Sequence, residues 1–571
     1  MVVSVSGCGG DSVMDPPAAT GLAFRVQPAN ATAGTPFAPA LEVEIRDATG
    51  TRVTTAGHAV TLALASAGGG ATLAGTTTVN AVAGVASFAN LSIDMAGEDY
   101  ALAASSNALA GATSGSFSIT AAAPARLAFV VQPTTAEGMQ AIAPSVQVEV
   151  RDAFDNFVPG AADVVTLALG SNQNQATLTG TTTTSASDGI ATFPDLRIDR
   201  PGADYTLVAS SGELVEATSA PFGISLTFAK VSAGTGHTCG VTTTRVAYCW
   251  GGNGSGQLGD GTTTFAPSPV AVAGGLHFAS VDAGNGTTCG VTTAGAAYCW
   301  GGNTDGQLGD GSTSDRSSPV AVGGGLTFAM VSAGVQTCGV TTGGAAYCWG
   351  SNVSGSLGDG TNIGRTSPSA VLGGLSFAAV SAGHLHTCGI SAAGEAFCWG
   401  YNVFEQLGDG TSTDSNTPVA VLGELTFAAV EAGGLFSCGV TTGNAAYCWG
   451  HNAQGQLGDG STSDRSSPVA VGGGPPFALA AAGGSHACAV APSGAASCWG
   501  LNTNGALGDG TTTSRTSPVT VEGGVTFDGV SAGADHSCGV TPEGTAYCWG
   551  SGALLGTGTS MQSSVPVRVM Q

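Results

Sequence analysis

Charge is the first thing this chain lacks. Only 9% of its 571 residues are charged, and acids outnumber bases 38 to 14, for a formal charge of −24. Residues 1–225 and 226–571 each carry 19 acids and 7 bases, so neither half offers the basic surface that nucleic acid requires, and no nucleic-acid partner is expected. No segment has the 18 or more unbroken apolar residues of a membrane helix, and helix-period patterns are absent. No nucleophile with a base, no paired carboxylates and no phosphate loop stand out. Gly-Ser-Gly at 254–256 falls inside a repeat rather than in a nucleophile elbow. Catalytic residues, metal and cofactor are therefore not expected. Disorder is also disfavoured, because 43% of residues are hydrophobic and they recur with strict periods.

The N-terminal segment, residues 1–20, contains Val5-Ser6-Gly7-Cys8, which resembles a bacterial lipoprotein cleavage box. It makes Cys8 a candidate for lipidation and the one expected route to a membrane. Only seven residues precede it, too few for a signal peptide with its basic and apolar regions.

Residues 21–120 and 126–225 are two copies of one unit. Phe24-Arg-Val-Gln-Pro28 matches Phe129-Val-Val-Gln-Pro133, Val43-Glu-Ile-Arg-Asp47 matches Val148-Glu-Val-Arg-Asp152, and Tyr100-Ala-Leu matches Tyr205-Thr-Leu, all offset by 105 residues. Short alternating runs such as LEVEIRD predict antiparallel sandwiches. The pattern resembles the immunoglobulin-like repeats of bacterial surface proteins, which implies a spacer or adhesive role. Neither copy contains Cys. Asp47, Asp152 and Asp155 are read as turn carboxylates, with calcium as the alternative. The second unit runs into the next region near Leu226 without a Gly/Ser or Pro-rich linker, so a stiff assembly is expected.

From residue 226 to 571 a unit of about 50 residues occurs seven times, marked by Cys239/Cys249, Cys289/Cys299, Cys338/Cys348, Cys388/Cys398, Cys438/Cys448, Cys488/Cys498 and Cys538/Cys548, each pair followed by Trp-Gly. Four short β-like segments per unit predict one propeller blade each. If Cys239 lies opposite Cys249, then Gly240 faces Tyr248, and the ring would cover the bare glycine. In the sixth copy the aromatic becomes Ser497 and the glycine becomes Ala489. That register sets both cysteines on one face, predicting seven disulfides and an oxidising compartment. Buried thiols and zinc sites are the alternatives.

The elements A-G-x-x-H-T, W-G-x-N-x-x-G-Q-L-G-D-G and P-V together resemble the repeats of the regulator of chromosome condensation family. The resemblance covers residues 226–571 and implies a seven-bladed β-propeller there; with the two N-terminal units the expected chain is all-β, two immunoglobulin-like β-sandwiches followed by the propeller. In that family the founder is a nucleotide-exchange factor that uses a wedge-like hairpin, for which repeats this uniform in length leave no room. Exchange-factor-like or hydrolytic activity is thus a lesser alternative, as is a purely structural cell-surface role. The resemblance implies a binding scaffold whose loops choose the partner.

Strand alternation brings the A-G-x-x-H loops and the W-G-x-N loops to one face. There copies four to six carry His384, Leu385, Tyr401, Phe404, Leu435, Phe436, His451 and Leu501, where earlier copies have residues such as Gly252, Gly302 and Ser351. Clustered aromatic and apolar loop residues suit an interface, so these eight are the expected site for a protein or glycan partner on a monomeric, extracellular or cell-surface protein. His237, His386, His486 and His536 are read as structural hydrogen-bonders, and the repeated Leu-Gly-Asp-Gly aspartates as turn formers.

Overall fold

A computed structural model describes residues 17–66 and 70–570; Cys8 lies outside the described residues. Apart from one short 3-10 turn at Gly552–Leu554, the described elements are β-strands. In the first N-terminal unit Gly21–Val26, Leu41–Arg46 and Val85–Phe88 form one sheet, and Ala59–Ser66, Gly97–Ser105 and Phe117–Thr120 belong to another. Alternate residues of LEVEIR point inward, so Leu41, Val43 and Ile45 meet Val60, Leu62 and Leu102 in one core. The second unit repeats this plan. Phe129 pairs with Val148 as Phe24 pairs with Val43, and Val146, Val148 and Val150 pack with Val165, Leu167 and Leu207.

The joint between these units is braced. Asp152 is fully buried and accepts the backbone N–H groups of Phe154, Asn156 and, from the connecting segment, Ala122. Asn156 reaches into the first unit, donating to the Asp94 carbonyl and accepting from the Ala96 N–H. Asp152 is therefore not a solvated turn carboxylate. It spends its lone pairs on local donors, which depress its pKa against the cost of burial. Among the described residues no group of three or more His, Cys, Asp or Glu side chains is placed to hold a metal.

Seven four-stranded antiparallel sheets follow, each with its strands in chain order. Blade 1 comprises Phe228–Ala233, His237–Thr242, Ala247–Gly251 and Ala266–Ala271. The register agrees with the expectation: Cys239 opposes Cys249, Gly240 opposes Tyr248 and Val241 opposes Ala247. The glycine's cover is different from expectation. A Cβ on Gly240 would lie 2.7 Å from the Phe228 ring, and in five further blades the first-strand Phe presses on the glycine in the same way. Phe belongs to the preceding strand, and a bulge between Phe228 and Lys230 turns its ring onto the hairpin. Tyr248 sits across from the glycine without being its nearest neighbour. The Ala489/Ser497 exchange is thus not a lost aromatic cover.

All seven expected disulfides are present. Each joins the second strand of its blade to the third: Cys239–Cys249, Cys289–Cys299, Cys338–Cys348, Cys388–Cys398, Cys438–Cys448, Cys488–Cys498 and Cys538–Cys548. Buried free thiols and zinc sites are thereby set aside for these fourteen cysteines.

The disulfide face of each blade meets the aromatic face of the next. Cys239 and Cys249 pack with Phe278 and Trp300 of blade 2, and Cys289 and Cys299 with Phe328 and Trp349 of blade 3. Cys338 and Cys348 meet Phe377 and Trp399 of blade 4, and Cys388 and Cys398 meet Phe427 and Trp449 of blade 5. Cys438 and Cys448 lie on Phe477 and Trp499 of blade 6, and Cys488 and Cys498 on Phe527 and Trp549 of blade 7. Blade 7 closes the circle by setting Cys538 and Cys548 on Phe228 and Trp250 of blade 1. Polar bonds follow the same path. Trp300 donates its indole N–H to the Gln257 carbonyl of the preceding repeat at 3.0 Å, Trp349 to Gln307 at 2.9 Å, and Trp250 to Leu554 of the last repeat at 2.9 Å.

The second N-terminal unit packs on this ring at blade 1. Gly138 lies against Leu226 and the Tyr248 hydroxyl, and Asn174 contacts Met570. As a result Tyr248 is wholly buried, whereas its counterparts Tyr298 and Tyr347 remain partly exposed. Both joints thus carry direct contacts, through Asn156 between the N-terminal units and through Gly138 and Asn174 at the ring.

Candidate protein-binding face

The loops after the first and third strands do emerge together. Tyr401 N–H bonds to the Leu385 carbonyl, His451 to Leu435 and Leu501 to Ser485, at 2.9 to 3.0 Å. Around the axis, the residue after each loop glycine donates its N–H to the glycine carbonyl of the next blade. The series runs from Thr235 on Gly284 through Asn285 on Gly334, Val335 on Gly383, His384 on Gly433, Gly434 on Gly483 and Gly484 on Gly533 to Ala534 on Gly234. Glycine is needed there, since a Cβ at Gly234 would stand 2.7 Å from the Gly284 oxygen. This collar supports the rim on which the variable residues stand.

Of the eight expected site residues, the structure gathers three into one cluster. Tyr401 and Phe404 rings are 6.3 Å apart, and Phe404 and His451 rings 4.8 Å apart, both edge-on. Gln456 fixes His451 by donating its amide to Nδ1 at 3.0 Å, while its own oxygen accepts the Gln454 N–H. Leu385 is exposed, and Leu435, Leu501 and His384 are partly exposed nearby in the repeat loops. Phe436 does not belong to the surface. It is 0% exposed and packs with Phe477 and Trp499 between blades 5 and 6, because it occupies the inward position at which other blades have His. Val403 was missed; it is 55% exposed beside Phe404, and its place between two aromatics in the fourth copy was the available signal.

The disulfide cysteines take no part in this face. Cys299, Cys348, Cys448 and Cys498, on the third strands of blades 2, 3, 5 and 6, are fully buried like the other ten. They fasten the hairpins and fill the seams between blades, so no partner can touch them.

The inward His position is structural too, as expected. His237, His386, His486 and His536 each set Nε2 2.7 to 2.9 Å from a Thr or Ser hydroxyl of the next blade. Those hydroxyls give their protons to backbone carbonyls, as Thr288 does to Gln257, so each imidazole donates from Nε2 and is neutral. Burial drives the pKa down to about 4 for His237 and His486 and about 3 for His386 and His536. The Leu-Gly-Asp-Gly aspartates are likewise built into turns: Asp310, Asp359, Asp459 and Asp509 pair with Arg316, Arg365, Arg465 and Arg515 at 2.7 to 2.9 Å.

Inside the ring the first strands line an axial cavity of about 500 Å³ that includes Lys230, Asp282 and Glu431. Asp282 accepts the Ser232 hydroxyl and the Ala333 N–H, and Glu431 accepts the Ser381 hydroxyl. Burial, reinforced by Asp282 and opposed by Ser381 and Lys230, pushes Glu431 up to about 7.

Comparison with known proteins agrees with this architecture. The profile of the RCC1-like domain matches residues 209–528, and that of the regulator of chromosome condensation (RCC1) repeat matches residues 527–553. No curated protein matches in sequence. Among solved structures, yeast RCC1 (Prp20), in a crystal structure with Kap60, is 20% identical, with a TM-score of 0.52 over 57% of this chain and 83% of that one. Human WBSCR16 is 21% identical, with a TM-score of 0.51 over 66% of this chain and 98% of its own. Identities this low speak for the fold alone. With a domain profile spanning more than half its length, and seven four-stranded sheets closed into a ring, this chain belongs to the RCC1-like domain family.

Proposed function

We propose that the protein is an extracytoplasmic binding scaffold that engages a protein partner through the loops of blades 4 to 6. The two N-terminal units, immunoglobulin-like in pattern, hold the propeller as a braced spacer. The observation that carries this reading is the Tyr401–Phe404–His451 cluster, built where the seven repeats diverge and held on a rim of backbone bonds. Seven buried disulfides favour an oxidising location. A photo-crosslinker placed at Val403 should capture a partner from envelope or secreted extracts, and Tyr401→Ala with Phe404→Ala should abolish the capture. Unchanged capture by the double variant would refute the reading.

A further inference from the structure

The loop that carries Tyr401 and Phe404 differs electrostatically from its counterparts in two other ways, the second of which, the absence of an arginine, is shared with the first repeat, where Ala266 holds that position, and the seventh, where Ser563 does. The first concerns Glu405. Five repeats place Gly256, Gly306, Gly355, Gly455 or Gly505 at this position, all with φ near +80°. A Cβ on any of them would lie 2.5 to 2.8 Å from the strand of the next blade. The fourth repeat keeps the turn, with Glu405 N–H on Asn402 and Gly408 N–H on Glu405, yet it carries a glutamate at φ +67°. Among the described residues its carboxylate has no hydrogen bond or ion pair.

The second departure is a missing arginine. Asp409 has the same local donors as its equivalents, Thr411 and Asn402, but the position of Arg316, Arg365, Arg465 and Arg515 is Ser415, whose hydroxyl donates to the Thr417 carbonyl instead. Residues 401–415 therefore hold Glu405, Asp409 and Asp414 with no base, a formal −3. The corresponding loops at 252–266, 302–316, 351–365, 451–465 and 501–515 come to −1, −2, 0, −1 and 0. The nearest arginine of the next blade, Arg465, is already engaged with Asp459.

Building on the proposed binding face, we infer that its partner presents a cationic segment, with Arg or Lys side chains seated on the Tyr401–Phe404–His451 rings and facing Glu405 and Asp409. Aromatic faces attract cations most where water is partly excluded, and nearby carboxylates without arginine supply the complementary charge. An apolar patch alone would fit any hydrophobic partner. Its coincidence with the most acidic loop selects a basic one.

The test uses the full chain and two fluorescein-labelled nonapeptides, one with three arginines and one with citrulline, a neutral near-isostere, in their place. At physiological ionic strength the arginine peptide should bind about tenfold tighter, a margin expected of cation–π and carboxylate contacts together. Glu405→Gly and Ser415→Arg should each weaken it by about fivefold, while Asp305→Asn, an acid on the same face in blade 2, should change it by less than about twofold. Glu405→Gly should also raise Tm by a few degrees, since glycine suits the left-handed turn, so weaker binding cannot be ascribed to misfolding. No arginine preference, with or without binding of either peptide, overturns the inference, as does an equal effect of Asp305→Asn. Crosslinking at Val403 that depends on Tyr401 and Phe404 while these charge variants are silent would retain the binding face and discard the cationic partner.

Discussion

The Trp250 indole donates to the carbonyl oxygen of Leu554, 304 residues downstream, at 2.9 Å, and the Thr238 hydroxyl donates to the same oxygen at 3.1 Å. This is the inter-blade bond of every other repeat, made here between the first blade and the last. Trp250→Phe should cost about 1 kcal/mol, because Thr238 still serves the carbonyl. Adding Thr238→Val should cost more than the sum of the single changes, by about 1 kcal/mol, since a buried acceptor is then left bare. Urea unfolding of the four-member cycle measures this coupling.

The disulfides give a second expectation. Each joins cysteines ten positions apart, and closing a loop of that size is worth about 3 kcal/mol in chain entropy. Cys388→Ser with Cys398→Ser should lower stability by about 2 to 4 kcal/mol. Mass spectrometry without reductant should find no free thiol among the fourteen propeller cysteines.

Acid should weaken the ring through its buried histidines. In the unfolded chain they take up protons below pH about 6.5, whereas in the fold they resist until about 4 or 3. Their stabilisation is therefore complete above pH 6.5 and declines as pH falls through that window, by roughly 1 to 3 kcal/mol per histidine. Glu431 acts in the opposite sense. Raised to about 7, it favours the fold below its unfolded value and loses that advantage as pH rises towards 7. Four histidines against one glutamate should give a net loss between pH 6.5 and 4. His386→Gln should reduce it, because Gln336 already makes the same bond to Thr387 in blade 3 without titrating. Thermal melts across pH measure both effects.

The joint between the N-terminal units should loosen when Asn156 is removed. Asn156→Ala deletes the bonds to Asp94 and Ala96 and the amide donated to Asp152. Small-angle scattering should then report a broader range of lengths, with each unit still folded.

Much of this was legible in the sequence. The hairpin register followed from the fixed spacing of Cys239 and Cys249 together with the period of two along a strand. The cover of Gly240 was not, because Phe228 lies on another strand and reaches the glycine only through a bulge. Phe436 read as a loop aromatic. It lies at the start of a strand, opposite Gly450, where the neighbouring blade buries it. Glu405 was visible as a glutamate among glycines, but its meaning depends on a backbone angle and on a carboxylate without a hydrogen bond or ion pair among the described residues, which spacing does not carry.

The glycine collar has a consequence for how such a chain can change. Its seven amide-to-carbonyl bonds form a closed polygon, and each bond is directed by a turn of one-seventh of a circle between neighbours. Gain or loss of a repeat would re-angle every bond at once, so copy number is locked by geometry. Loop sequence is not: residues beyond the collar can drift one blade at a time without disturbing the polygon. The molecule thus separates what must remain uniform from what is free to acquire a partner.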